Sequence, residues 1–177
     1  MRQAVFLDRD GVLSVPDFRE GRSFAPRRVE DFRLYPDVKE ALSLLREAGY
    51  LLVVVTNQPD IGNGLVAQET VDRMHEILYD ELPIDRIETC PHSQRDTCDC
   101  RKPKPGMLLN AARVCGINLF ESFMIGDRAS DVEAGVAAGC KTIFIDLNYA
   151  AELKPARADY VARSVSGAAD IILERNR

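Results

Sequence analysis

The chain has 177 residues, 46% hydrophobic and 29% charged, a composition that sustains one core burying about 70% of the unfolded surface. This excludes wholesale disorder and a disulfide-stapled miniprotein, and a single domain over residues 1–177 is expected. A net charge of −5, from 23 Lys+Arg against 28 Asp+Glu, has the wrong sign for life on a nucleic-acid backbone. The longest aliphatic run, Leu51 to Val55, is far short of the ~18 residues of a membrane span.

In chain order, Ala4–Leu7 is a first strand that meets Asp8 at once, too short an apolar run for a secretory signal, so a cytoplasmic location is expected. Val38, Leu42, Leu45 and Ala48 form a helical stripe closed by Gly49. Leu51–Val55 is a second strand, and Val71, Met74, Ile77, Leu78 and Leu82 line a second helix. His75 on that helix is expected at the surface or its boundary. Ile84–Thr89 is a third strand. A helix over Met107–Val114 opens after Pro105 and closes at Gly116. Ser122–Ile125 is a fourth strand, Val132–Ala138 a helix closed by Gly139, Thr142–Ile145 a fifth strand, and Ala168–Leu173 a last helix. Three of these helices stop at glycines able to take the left-handed conformation. Strand then helix, repeated, predicts an α/β fold: a Rossmann-like, mainly parallel sheet with helices on both faces.

In open sheets of this kind ligands bind beyond the carboxyl ends of the strands. The first strand ends in Asp8-Arg9-Asp10-Gly11, the second in Thr56-Asn57-Gln58 and the fourth in Gly126-Asp127-Arg128. Arg101-Lys102-Pro103-Lys104 precedes a helix. Asp8 and Asp10 repel one another unless a proton or cation intervenes. A hard ion such as Mg²⁺ suits them, and Asp127 is placed to reach the same ion. An Asp-x-Asp-Gly by itself also suits a turn with solvated acids. Asp131 is either a solvated or capping acid or a support near Lys102, and Lys104 is expected to be a surface lysine.

Three of five cysteines cluster: Cys90-Pro91-His92 and Cys98-Asp99-Cys100 supply four ligands within eleven residues. Without an export route, clustered thiols point to metal rather than a disulfide. A Cys₃His set fits a closed, structural zinc site, and so short a C-x-C disfavours an internal disulfide. The loop has little apolar content and leads into Arg101 and Lys102, so the metal would order the cations that meet an anion. Arg101 either grips phosphate bidentately or is a solvated partner of Asp99. Cys115 and Cys140, beside glycines, read as core fillers.

Four pieces in order, Asp8-Arg9-Asp10-Gly11-Val12, Thr56-Asn57-Gln58, Lys102-Pro103 and Gly126-Asp127-Arg128-Ala129-Ser130-Asp131, resemble the haloacid dehalogenase (HAD) superfamily. Val53–Gln58 and Cys98–Pro103 are similar to the heptose 1,7-bisphosphate and histidinol-phosphate phosphatases within it. The resemblance implies a HAD-like fold and an Mg²⁺-dependent phosphatase acting through an aspartyl-phosphate. It implies Asp8 as nucleophile and Asp10 as general acid and base. Mg²⁺ would be held by Asp8, the Asp10 carbonyl and Asp127, with Thr56, Asn57, Arg101 and Lys102 on substrate phosphate. The expected substrate is a small sugar bisphosphate, released of its 7-phosphate, with histidinol phosphate as the alternative; a monomer without nucleic-acid or membrane partners is expected. A zinc-stabilised scaffold that had lost the chemistry predicts replacement of Asp8, Asp10, Lys102 or Asp127, and all four are present.

There is no room for a large cap domain. The only sizeable early insertion, residues 14–35, carries Arg19, Arg22, Arg27 and Arg28 among Phe18 and Phe24. These arginines either bind the distal part of an anionic substrate or face solvent. Asn63 stands where many heptose relatives carry arginine.

Overall fold

A computed structural model describes residues 1–175. β1 (Ala4–Leu7) is followed by a hairpin, β2 (Asp17–Arg19) and β3 (Arg22–Phe24), and by α1 (Val38–Glu47). Next come β4 (Leu51–Asn57), the short α2 (Pro59–Gly62), α3 (Gln68–Glu81), β5 (Arg86–Cys90) and α4 (Gly106–Cys115). The chain ends through β6 (Phe123–Gly126), α5 (Ala129–Ala138), β7 (Lys141–Ile145), β8 (Tyr160–Ala162) and α6 (Val165–Glu174).

Six strands form one sheet in the order β5-β4-β1-β6-β7-β8, with every pairing parallel. Successive side chains of a strand point to opposite faces, so the sheet separates two cores. Val5, Leu7, Leu52, Val54 and Ile125 pack under Leu42 and Leu45 of α1, Met74 and Leu78 of α3, and Ala168 and Ile172 of α6. Ala4, Phe6, Val53, Val55 and Met124 pack under Met107 and Leu108 of α4 and Ala134 of α5. Both faces are covered, which is why the strands read as unbroken apolar runs. Burying each large aliphatic or aromatic side chain contributes about 1.5–3 kcal/mol.

All five expected strands and all five helices form, with ends moved by a few residues. The third strand starts later than Ile84 because Asp85 turns the chain in: its N–H donates to the Leu52 carbonyl, and its carboxylate accepts from Leu52 N at 2.8 Å. β2, β3 and β8 are additions. Each is three residues long, too short to show a period of two. β8 is pinned from the side by Asp159, whose carboxylate accepts from Thr142 N (2.8 Å) and Thr142 Oγ1 (3.0 Å).

The chain lays β4 and β5 on one side of β1, then returns to lay β6, β7 and β8 on the other. Such a reversal opens a crevice beyond the carboxyl ends of the two strands flanking it, here β1 and β6. Among the described residues no helix is long and apolar enough to cross a membrane.

Candidate active site

The crevice brings together side chains from the ends of β1 and β6 and from the loop before α4. Lys102 is 3% exposed. Its Nζ donates to Asp8 Oδ1 at 2.8 Å and to the Val55 carbonyl at 2.7 Å, and pairs with Asp131 Oδ1 at 2.6 Å. A buried ammonium is tolerated only when paired in this way. Burial works against its charge, but Asp131 and then Asp8 outweigh it and hold the Lys102 pKa above its ordinary value. Asp131 is therefore a buried support for Lys102 and also a capping acid, its Oδ2 accepting from Arg128 N at 3.0 Å at the start of α5; it is not solvated. Its close fit under β6 requires glycine at 126, where a Cβ would lie 2.1 Å from the Asp131 Cβ.

Asp8, Asp127 and Asp131 present carboxylate oxygens within 4.8 Å of one another. Burial, then the neighbouring Asp131 charge, raises the Asp8 pKa against the pull of Lys102. Burial, then Asp8 and Asp131, raises that of Asp127 well above the usual carboxylate range. Asp127 Oδ1 is buried with no hydrogen-bond partner among the described residues. Three buried acids, two of them paired to one ammonium and the third with an unpaired oxygen, match the needs of a hard divalent cation that takes oxygen ligands.

Asp10 is held from three sides. Arg9 Nε donates to its two oxygens at 3.2 and 3.1 Å, Gln58 Nε2 to Oδ2 at 2.9 Å and Ser14 Oγ to Oδ1 at 3.2 Å. Sequence reasoning missed Arg9, which is fully buried beneath the site. Its guanidinium lies over the Phe32 ring at 5.2 Å, and its Nη1 is 3.3 Å from His75 Nε2. His75 is buried rather than at the surface or its boundary, because the α3 stripe that carries it faces this cation. Arginine can only donate, so His75 Nε2 must accept, which requires the neutral ring. Burial, then Arg9, lowers its pKa to about 4 from 6.5. As pH falls through 6.5 the unfolded chain takes up a proton that the folded chain refuses, so stability is lost between pH 6.5 and about 4. His75→Gln keeps an acceptor and removes the titration. Denaturant titrations over this range are expected to show wild type losing up to about 3 kcal/mol relative to the variant; parallel curves would overturn the assignment.

Thr56 and Asn57, expected on substrate phosphate, are engaged within the protein. Thr56 is fully buried and its Oγ1 accepts from Gln58 Nε2 at 2.9 Å. Asn57 lines the cleft, but its amide clamps the Lys102 backbone, Nδ2 to O and Oδ1 to N, both at 3.1 Å. Asn57 thus fixes the lysine that faces Asp8.

The site opens into a cleft of about 670 Å³, lined by Asp8, Asp10 and Lys102 and by Arg22, Arg27, Arg101 and Arg128. Arg101 Nη1 is buried without a partner among the described residues. Asp99 is taken instead by Lys104 at 3.1 Å, an exposed lysine as expected. Arg19, Arg22, Arg27 and Arg28 divide. Arg22 and Arg27 face the cleft, while Arg19 stacks on Phe24 at 4.6 Å and Arg28 pairs with Asp31 at 2.8 Å. Asn63 donates to Gln94 Oε1 at 3.0 Å, tying the end of α2 to the cysteine loop.

In that loop Cys90, His92, Cys98 and Cys100 place donor atoms within 4.8 Å of one another. Cys90 and Cys98 sulfurs are 3.7 Å apart, and His92 Nδ1 is 3.5 Å from Cys90 Sγ and 3.2 Å from Cys100 Sγ. Thiolates about 2.3 Å from one tetrahedral zinc stand about 3.7 Å apart, so the donor set fits that ion. Cys140 is buried and Cys115 half-buried.

An aspartate at the end of the strand beside a sheet reversal, faced by a buried lysine and by acids from the next strand, defines a phosphohydrolase of the HAD-like class. The HAD-hydrolase-like family model matches residues 99–168. The chain is 38% identical over 150 residues to a D-glycero-beta-D-manno-heptose-1,7-bisphosphate 7-phosphatase of Rhodopseudomonas palustris, covering 78% of this chain and 80% of the relative. It is 35% identical over 152 residues to the same-named protein of Haemophilus influenzae, covering 80% and 79%. The crystal structure of a D,D-heptose 1,7-bisphosphate phosphatase from B. bronchiseptica, complexed with magnesium and phosphate, superposes with a TM-score of 0.84 at 26% identity, covering 98% of this chain and 99% of that one. The chain belongs to the HAD-like hydrolase family, in the group of the heptose bisphosphate phosphatases.

Proposed function

We propose that this phosphatase removes the 7-phosphate of D-glycero-D-manno-heptose 1,7-bisphosphate. The observation that carries the chemistry is Asp8 at the floor of an arginine-rich cleft, 2.8 Å from the buried Lys102. An Asp8 carboxylate oxygen attacks phosphorus, and the bond from phosphorus to the sugar oxygen breaks. Asp10, oriented by Arg9, Gln58 and Ser14, gives its proton to the departing oxygen. The product is an aspartyl-phosphate and a free hydroxyl. Asp10, now a carboxylate, takes a proton from water, whose oxygen attacks phosphorus and frees Asp8 and inorganic phosphate. Lys102 and the unpartnered Nη1 of Arg101 face the charge that spreads over the phosphoryl oxygens. Asp8, Asp127 and the main-chain carbonyl of Asp10 would hold Mg²⁺, whose chemistry there is to neutralise that charge.

Cys90, His92, Cys98 and Cys100 would hold a structural zinc, fixing the loop that ends at Arg101 and Lys102. Thiol ligands of this kind persist in a reducing compartment, which supports a cytoplasmic enzyme. The names of the relatives, together with a cleft sized for a small sugar phosphate, support the heptose substrate. A panel of phosphate monoesters assayed with Mg²⁺ tests this reading. The heptose bisphosphate is expected to exceed histidinol phosphate in kcat/KM by at least about tenfold, about 1.4 kcal/mol of transition-state stabilisation. The reverse order would move the assignment to the amino-alcohol ester.

A further inference from the structure

Tyr149 lies between β7 and β8, 22 residues beyond Asp127. Its hydroxyl donates to Asp127 Oδ2, and Asp127 Oδ1 has no hydrogen-bond partner among the described residues. The ring is held by Phe18 of the hairpin, with centroids 5.3 Å apart and planes at 56°. The backbone of the turn that carries Asp8 and Asp10 packs directly on this contact. A Cβ at Gly11, whose φ is +93°, would lie 2.0 Å from Asp127 Oδ2 and 2.9 Å from the Tyr149 hydroxyl. The residues after Tyr149 are fastened to the hairpin in turn. Ala151 N donates to the Gly21 carbonyl at 3.1 Å and Ser23 N to Glu152 Oε1 at 3.2 Å, while Arg128 pairs with Glu152 at 3.3 Å.

We propose that Tyr149 is a positioning residue for the divalent cation: by occupying one oxygen of Asp127 it fixes the carboxylate with the other oxygen presented to the ion. The proposal rests on the reading that Asp127 is a metal ligand. A carboxylate held by one fixed donor loses less freedom on coordinating, and outer partners of metal ligands are commonly worth 10–100-fold in metal affinity or activity. Nothing in the order of residues announces this contact, because Tyr149 belongs to a segment without regular structure whose course is set by the hairpin.

The test is Mn²⁺ binding to the zinc-loaded full chain, read from the electron paramagnetic resonance of free Mn²⁺, for wild type, Tyr149→Phe and Asp127→Asn. Tyr149→Phe keeps the ring on Phe18 and removes only the donor. Its Mn²⁺ Kd is expected to rise about tenfold, with the thermal midpoint of the metal-free protein reported alongside to separate affinity from folding. With p-nitrophenyl phosphate as substrate, the Mg²⁺ concentration for half activity is expected to rise in parallel, and the deficit to shrink as Mg²⁺ is raised. Wild-type Mn²⁺ affinity in Tyr149→Phe with binding lost in Asp127→Asn overturns the role of Tyr149 and leaves the metal site standing. An activity deficit that added Mg²⁺ does not diminish also overturns it. Wild-type affinity in Asp127→Asn overturns the metal-site reading itself.

Discussion

Asp8→Asn is expected to lower turnover by a factor on the order of 10⁴ or more, with the fold retained. The amide has the shape of the carboxylate but no anionic oxygen to take the phosphoryl group. Lys102 keeps its 2.6 Å contact to Asp131 and its bond to the Val55 carbonyl, so the buried ammonium is not abandoned. Steady-state hydrolysis of p-nitrophenyl phosphate with Mg²⁺, beside a circular dichroism melt, measures both. Activity within tenfold of wild type would reject Asp8 as the nucleophile. A collapsed melt would show instead that Asp8 is needed to balance Lys102.

Loss of the proposed structural zinc is expected to have the next largest effect. The loop between β5 and α4 contains no regular secondary structure. Its cysteine-bearing part is held by polar contacts such as Ser93 N to Asp96 at 2.7 Å and Lys104 to Asp99 at 3.1 Å, the latter weak at an exposed surface, whereas Lys102 beyond it is anchored by buried pairs. Metal coordination by Cys90, His92, Cys98 and Cys100 would dominate that local stability. Elemental analysis after gel filtration is expected to find about one zinc per chain. Cys98→Ser is expected to lower the thermal midpoint on the order of 10 °C and to depress activity, because Cys100 adjoins Arg101 and Lys102. A zinc-free preparation with an undiminished midpoint would overturn the structural assignment. The two metals separate by exchange: mild chelation is expected to remove Mg²⁺-dependent activity reversibly while zinc stays bound.

Much of this site is legible in the chain because its parts are local. Asp8 and Asp10, Cys98 and Cys100, and Gly126 and Asp127 each lie within a few residues, and their order along the chain matches the order of the strands. What the chain did not announce is equally specific. Thr56 Oγ1 accepts from Gln58, and the Asn57 amide clamps the Lys102 backbone. His75 looks peripheral on its helix, yet it backs the buried Arg9. Arg19, Arg22, Arg27 and Arg28 form one group by composition, but Arg22 and Arg27 line the cleft while Arg19 stacks on Phe24 and Arg28 pairs with Asp31.

The residue types and their periodicity by themselves determined the alternation of strand and helix, the two covered faces of the sheet, the acids at the strand ends and the four-donor loop. Those follow from the preference of apolar side chains for burial and from the affinities of carboxylate and thiolate for their ions, which need no partner elsewhere. Tertiary structure alone decided that Lys102 meets Asp8 across 94 residues, that Asp131 is buried against it, that Arg9 braces Asp10, and that Tyr149 reaches Asp127. The partner of a buried charge depends on which strands lie side by side. That order, with β1 seated between β4 and β6, comes from the packing of the whole chain and leaves no local period to read.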